Sequence, residues 1–278
     1  MTADASTADR ASSGAPEPRV LTLPGLELPV HVRGRKPRGK TVPLVLHLHG
    51  GAFVCADALA RACLAQLAAD AGCVVASLHY PLAPEHRFPE AVEAGYAALE
   101  WLHRQRTRMA GAGAPLVIAG EEAGGNLAAA IAMMARDRGG PPVAAQVLVA
   151  PMLDPCAATA SLRQTLGTAT CCKWADGWQS YLRGPMDAEH PYAVPGRAQR
   201  LAGLAPALVL TGRDDPMRDE ALAYAQRLRA AGVAVDEGVL PSTTGWPDTL
   251  LQPHTPCPYG ETVTRHLRDF LHRAMPPP

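Results

Sequence analysis

Apolar residues fall along this chain in short, almost unbroken runs, separated by longer stretches with helical spacing. The runs Val42-Pro-Leu-Val-Leu-His-Leu48, Cys73-Val-Val-Ala-Ser-Leu78, Pro115-Leu-Val-Ile-Ala119, Ala144-Ala-Gln-Val-Leu-Val-Ala150 and Ala207-Leu-Val-Leu210 suit strands covered on both faces of a parallel sheet. Between them, residues 58–71, 89–106, 122–137 and 220–231 read as helices, and residues 233–240 and 261–275 as a last strand and a last helix. Val20–Leu23 and Leu26–Val32 alternate like a hairpin turning at Pro24-Gly25. Strands and helices alternate strictly after residue 40. That predicts an α/β, doubly wound, mostly parallel eight-stranded sheet with helices on both faces. Residues 152–200 break the rhythm with mixed polarity and two tryptophans, Trp174 and Trp178, and read as a helical cap inserted above the sheet. Residues 1–19 read as a flexible tail or cap contribution, and 20–278 as a single domain carrying that insertion.

Composition narrows the function. Lys+Arg and Asp+Glu both number 26, so nothing in the net charge calls for nucleic acid or an anionic membrane. No 18-residue apolar stretch exists to span a bilayer, and the N-terminus lacks the basic start and apolar block of a secretion signal. The seven cysteines, at 55, 63, 73, 156, 171, 172 and 257, lie mostly in apolar stretches and read as reduced, buried thiols of a cytoplasmic protein. Cys171-Cys172 lacks zinc-ligand spacing, so no metal and no cofactor is expected. The expected partner is an apolar small molecule, with a homodimer left open.

On such sheets, ligands bind beyond the carboxyl ends of the strands. The loops there are His49-Gly50-Gly51-Ala52-Phe53, Gly120-Glu-Glu122-Ala123-Gly124-Gly125-Asn126, Asp214-Asp215-Pro-Met-Arg-Asp-Glu220 and Thr243-Thr244-Gly245-Trp246. Together with "YPLAPEHRFPEAVEAGYAALEWL", Tyr80–Leu102, they resemble the hormone-sensitive-lipase-like group of the α/β-hydrolase fold over roughly residues 20 to 273. The resemblance implies that Glu122 stands where the group has its nucleophilic serine, Thr244 where it has its histidine, and Asp215 where it has its acid. It also implies oxyanion-hole donors at Gly50, Gly51 and Ala123. Ala52 replaces the third glycine of the oxyanion loop, and His254 is a remote substitute for the missing histidine.

Two of three catalytic positions are therefore altered, while the backbone donors survive any side-chain change. A carboxylate facing such donors could act as general acid or base on a carbonyl-bearing small molecule, with Asp215, hydrogen-bonded to Thr244, as a second proton carrier. The expectation is a non-hydrolytic enzyme: a lyase, isomerase or cyclase performing cyclisation, dehydration, isomerisation or epimerisation. The Ala-, Arg-, Gly- and Pro-rich composition, together with the altered catalytic positions, makes a tailoring step in natural-product biosynthesis the expected setting. Two alternatives stand beside it. Glu122 could plug its own oxyanion hole and leave an inert ligand-binding pseudoenzyme or receptor, or a residual carboxylesterase could persist. Phe53, Tyr80, Met152, Trp174, Trp178 and Trp246 are the candidate pocket lining.

Overall fold

The computed structural model describes residues 19–23, 27–55, 63–164, 169–241 and 259–275. Eight strands form one sheet: β1 (Arg19–Leu23), β2 (Leu28–Arg33), β3 (Leu44–Leu48), β4 (Val74–Leu78), β5 (Leu116–Glu121), β6 (Val143–Val149), β7 (Ala207–Gly212) and β8 (Val235–Leu240). Their order is β1-β2-β4-β3-β5-β6-β7-β8. The first two strands pair antiparallel, and β2 pairs antiparallel with β4; all later pairs are parallel. The apolar runs account for this layout, since every residue of β3, β4, β5 and β7 is buried.

Helices α1 (Cys63–Asp70), α2 (Glu90–Met109) and α3 (Ala123–Asp137) follow β3, β4 and β5 in turn. Strand β4 lies on one side of β3 and β5 on the other. Right-handed crossovers then place α1 on the opposite face from α2 and α3. The order reverses at β3, so the loops leaving β3 and β5 meet beside the crevice where doubly wound sheets take ligands. Residues Ala123 through Ala135 of α3 are all buried, as expected for a helix apolar on every side. Its alanines let it lie close to the sheet and to α2.

The stretch read as a cap contains α4 (Ala160–Arg163), α5 (Ala169–Tyr181), α6 (Pro185–Ala188) and a short 3-10 turn, Pro195–Arg197. Helices α7 (Arg218–Ala230) and α8 (Gly260–Ala274) complete the chain. The expected hairpin is present, though its turn at residues 24–26 lies outside the described residues. One composition reading is corrected. Cys73 is buried where the chain enters β4, but Cys55 and Cys156 sit on exposed loops and Cys63, at the start of α1, is half-buried. Cys55, Cys73 and Cys156 are free thiols, and Cys63 is in no disulfide. Among the described residues no helix is long and apolar enough to cross a membrane, and no group of side chains is arranged to hold a metal ion.

Candidate active site

Glu122 forms the elbow between β5 and α3, with φ 54° and ψ −117°. The sequence prediction started the helix at Glu122; the structure starts it one residue later, because this residue occupies the left-handed region that lets the chain reverse. Strain at a non-glycine residue of this kind is held in place by its surroundings. The Glu122 amide donates to Val149 O at 3.0 Å, and its carbonyl accepts from Asn126 N and Met152 N at 3.2 and 3.0 Å. Gly124 permits the approach of α3 to the end of β3, since a Cβ there would overlap the backbone carbonyls of Leu48 and His49.

The Glu122 side chain is fully buried and both of its oxygens are engaged. Oε2 accepts from the Gly51 amide at 2.5 Å. Oε1 accepts from the Trp174 indole Nε1 at 2.5 Å and lies 3.1 Å from the Lys173 ammonium. A buried carboxylate is tolerated only with such partners. Trp174 and Lys173 come from α5, which sits against the loop after β3. A Cβ at Gly177 would meet the Ala52 backbone, so that glycine sets how closely α5 packs there.

The preceding carboxylate turns the other way. Glu121 Oε2 lies 2.8 Å from His47 Nε2, and Oε1 accepts from the Gly50 amide at 3.3 Å. His47 Nδ1 is 3.0 Å from Ser77 Oγ. All three side chains are buried, in neighbouring strands β5, β3 and β4. The amides of Gly50 and Gly51, both assigned by resemblance to the oxyanion hole, are thus each bonded to a glutamate of this chain. His49 stacks on Tyr80 at 4.3 Å between ring centroids, and its Nδ1 contacts Gly50 O at 2.8 Å. Burial lowers the His49 pKa to about 3, so the ring is neutral. Burial, reinforced by the charges of Glu122 and Glu121, holds the Tyr80 phenol well above its usual value, and its hydroxyl donates to His49 O at 2.8 Å.

Asp215 follows β7 and is buried, accepting from Thr211 Oγ1 at 2.6 Å and Met217 N at 2.9 Å. Desolvation raises its pKa to about 6. Thr244, the expected hydroxyl partner, lies outside the described residues, as do Trp246 and His254; Thr211 supplies a hydroxyl here. Glu220 stands next to this loop. Although the residue keeps some exposure, its carboxyl is desolvated beside Asp154 and Asp215, and its pKa rises to about 8. It accepts from Leu153 N at 3.2 Å.

Of the residues expected to line a pocket, Phe53 stacks on Tyr181 at 4.0 Å and lies 5.3 Å from Trp178. They form a buried aromatic cluster packed on itself. Trp174 instead contacts the elbow through its indole N–H, and Met152 does so through its backbone amide. The sequence reading missed Lys173, Glu121, Thr211 and Glu220. The doubled acid Glu121-Glu122 and the Lys173-Trp174 dipeptide were the only local traces of the first two.

A family model described as alpha/beta hydrolase fold matches residues 45–244. The chain belongs to the α/β-hydrolase fold family. Its relatives lie in the hormone-sensitive-lipase-like esterase branch. "Carboxylic ester hydrolase LipN" of Mycobacterium tuberculosis (strain ATCC 25618 / H37Rv) is 38% identical over 234 residues, covering 81% of this chain and 62% of LipN. The solved structure titled "Bacterial Heroin Esterase" superposes with a TM-score of 0.80 at 32% identity, covering 94% of this chain and 84% of that one. "Gibberellin receptor GID1" of Oryza sativa subsp. japonica is 33% identical over 210 residues, 70% of this chain and 58% of the receptor. The chain thus spans less than two thirds of LipN and of the receptor.

These α/β-hydrolase relatives overturn the expectation of a lyase, isomerase or cyclase. LipN and the heroin esterase are named for ester hydrolysis, and so are other relatives in the same range of identity, such as "Carboxylesterase NlhH" at 33%. The geometry agrees with the correction. A general acid or base needs a carboxylate oxygen aimed at a ligand. Both oxygens of Glu122 are instead committed to Gly51, Trp174 and Lys173. With that, the reason for placing the chain in natural-product tailoring falls away.

Proposed function

We propose that this protein is an attenuated carboxylesterase: its ligand class is a carboxylic ester or the acid released from it, its reaction class is ester hydrolysis, and its own Glu122 holds turnover low. The observation that carries the reading is the hydrogen bond from the Gly51 amide to Glu122 Oε2, which puts a carboxylate oxygen where an ester's oxyanion would need the donor. Glu122 offers no hydroxyl to form an acyl-enzyme, so hydrolysis is limited to direct attack by water. Asp215 and Tyr80 then serve to hold the loops after β7 and β3 rather than to relay protons. The free thiols Cys55, Cys73 and Cys156 support a reducing, cytoplasmic setting.

A binding role without turnover is the second reading. The likeness to a protein named a receptor supports it, together with the saturated Glu122 carboxylate.

The test is hydrolysis of p-nitrophenyl acetate and butyrate by the wild-type chain and by Glu122→Ala. Slow wild-type turnover that rises when Glu122 is removed supports occlusion of an ester site. Turnover at ordinary esterase rates, lost in Glu122→Ala, would show that Glu122 drives the reaction and would sink the reading. No turnover in either protein, with ester binding retained, would favour the binding role.

A further inference from the structure

We infer that the Gly51 amide, the Trp174 indole N–H and the Lys173 ammonium form a receptor for a small monocarboxylate, which Glu122 fills in the free protein. The inference rests on the ester-site reading and sharpens it to the charged acid half of the ester. Three donors from two separate elements converge on one carboxylate, two on Oε1 and one on Oε2. An oxyanion hole for a neutral ester carbonyl needs only amide donors. The added indole and cation match a full negative charge shared over two oxygens.

Space and access fit as well. A Cβ at Gly50 would lie 2.6 Å from Glu122 Oε2, so the glycine there leaves room for a carboxylate oxygen. The Trp174 side chain is buried, whereas the Lys173 side chain is 32% exposed and forms the open side of the set. The packing of Gly177 on Ala52 fixes α5 to the loop after β3, so the donors keep their positions when the internal carboxylate is gone.

Isothermal titration of Glu122→Ala with sodium butyrate, and with butyramide as the neutral isostere, tests this. The emptied site should bind butyrate roughly tenfold more tightly than wild type does, and roughly tenfold more tightly than it binds butyramide, the usual advantage of a charge-assisted over a neutral hydrogen-bonded ligand. Adding Lys173→Met or Trp174→Phe to Glu122→Ala should each weaken butyrate several-fold and leave butyramide almost unchanged. Equal binding of the two ligands, or butyrate binding indifferent to both second substitutions, would overturn the receptor. Should Glu122→Ala not fold, Glu122→Ser empties the same donors with a shorter side chain, and the same outcomes decide. Failure here is distinct from failure of the ester reading, which shows instead as rapid wild-type ester turnover.

Discussion

Glu122 Oε2 and the Gly51 amide nitrogen lie 2.5 Å apart, joining the turn after β5 to the loop after β3 across the point where strand order reverses. The contact binds a side chain of the elbow to a backbone donor that ester chemistry would use. Removing it should therefore expose the donor without dismantling the loop, whose own bonds, such as Val54 N and Cys55 N to Gly51 O at 3.0 Å, are independent of Glu122.

Restoring the two altered family positions together, Glu122→Ser with Thr244→His, is expected to give p-nitrophenyl ester hydrolysis well above wild type. Either change alone should give far less, since nucleophile and base act as a unit. Steady-state rates for the four proteins decide it. A folded double variant no faster than the single variants would place the histidine position elsewhere or the pocket out of reach.

The strands were legible because they are buried on both faces, which leaves an uninterrupted apolar signature at β3, β4, β5 and β7. The elbow was legible from glycines around an acid between a strand and a helix. What the sequence could not show was the fate of the carboxylate. That depends on Lys173 and Trp174, about fifty positions away, reaching Glu122 because Gly177 lets α5 rest on Ala52. No local periodicity encodes a tertiary contact of that span, and the mixed polarity of residues 152–200 pointed only to a cap. Likewise, Asp215 was legible only as the acid position of the resembled family, while its burial and its bond to Thr211, four residues before it, were hidden by the expectation of Thr244.

Gly124→Ala should destabilise the protein by about 3 kcal/mol, because the new methyl group meets backbone carbonyls of Leu48 and His49 rather than a side chain that could move aside. Gly184→Ala is the control. Its φ is 175°, ordinary extended backbone, and an added Cβ meets nothing within 4 Å. Urea unfolding of both variants checks the contrast. Equal midpoints for the two would mean that α3 can shift away from β3 at little cost.

Glu121→Gln tests the buried chain from Ser77 through His47 to Glu121. The glutamate accepts from His47 Nε2 and Gly50 N with separate oxygens. An amide that keeps its oxygen on Gly50 N turns its NH2 toward His47 Nε2, a contact left unmade unless the ring moves its proton to Nδ1, facing Ser77. The expected loss is about 2–4 kcal/mol, in the range for breaking a buried polar pair. A change within about 0.5 kcal/mol, the scatter of ordinary surface substitutions, would mean that His47 and Gly50 find other partners.

Glu220 should make stability fall with rising pH. Its carboxyl titrates near 4.5 when exposed and near 8 in the fold, chiefly through desolvation, with the charges of Asp154 and Asp215 adding to it and the Leu153 amide opposing. The fold thus favours the protonated acid. That contribution is fully present below about pH 4.5 and is lost as pH rises toward about 8, where the carboxyl must ionise in place. Asp215 moves in the same direction but only from 3.8 to about 6, so the window between pH 6 and 8 belongs to Glu220. Glu220→Gln keeps the shape and removes the titration. Calorimetric melting at pH 5, 6, 7 and 8 should therefore show the variant gaining on wild type at each step, by about 2–4 kcal/mol over the whole range. A gap between the two proteins that stays constant from pH 5 to 8 would show that the Glu220 carboxyl is solvated and titrates as an ordinary surface acid.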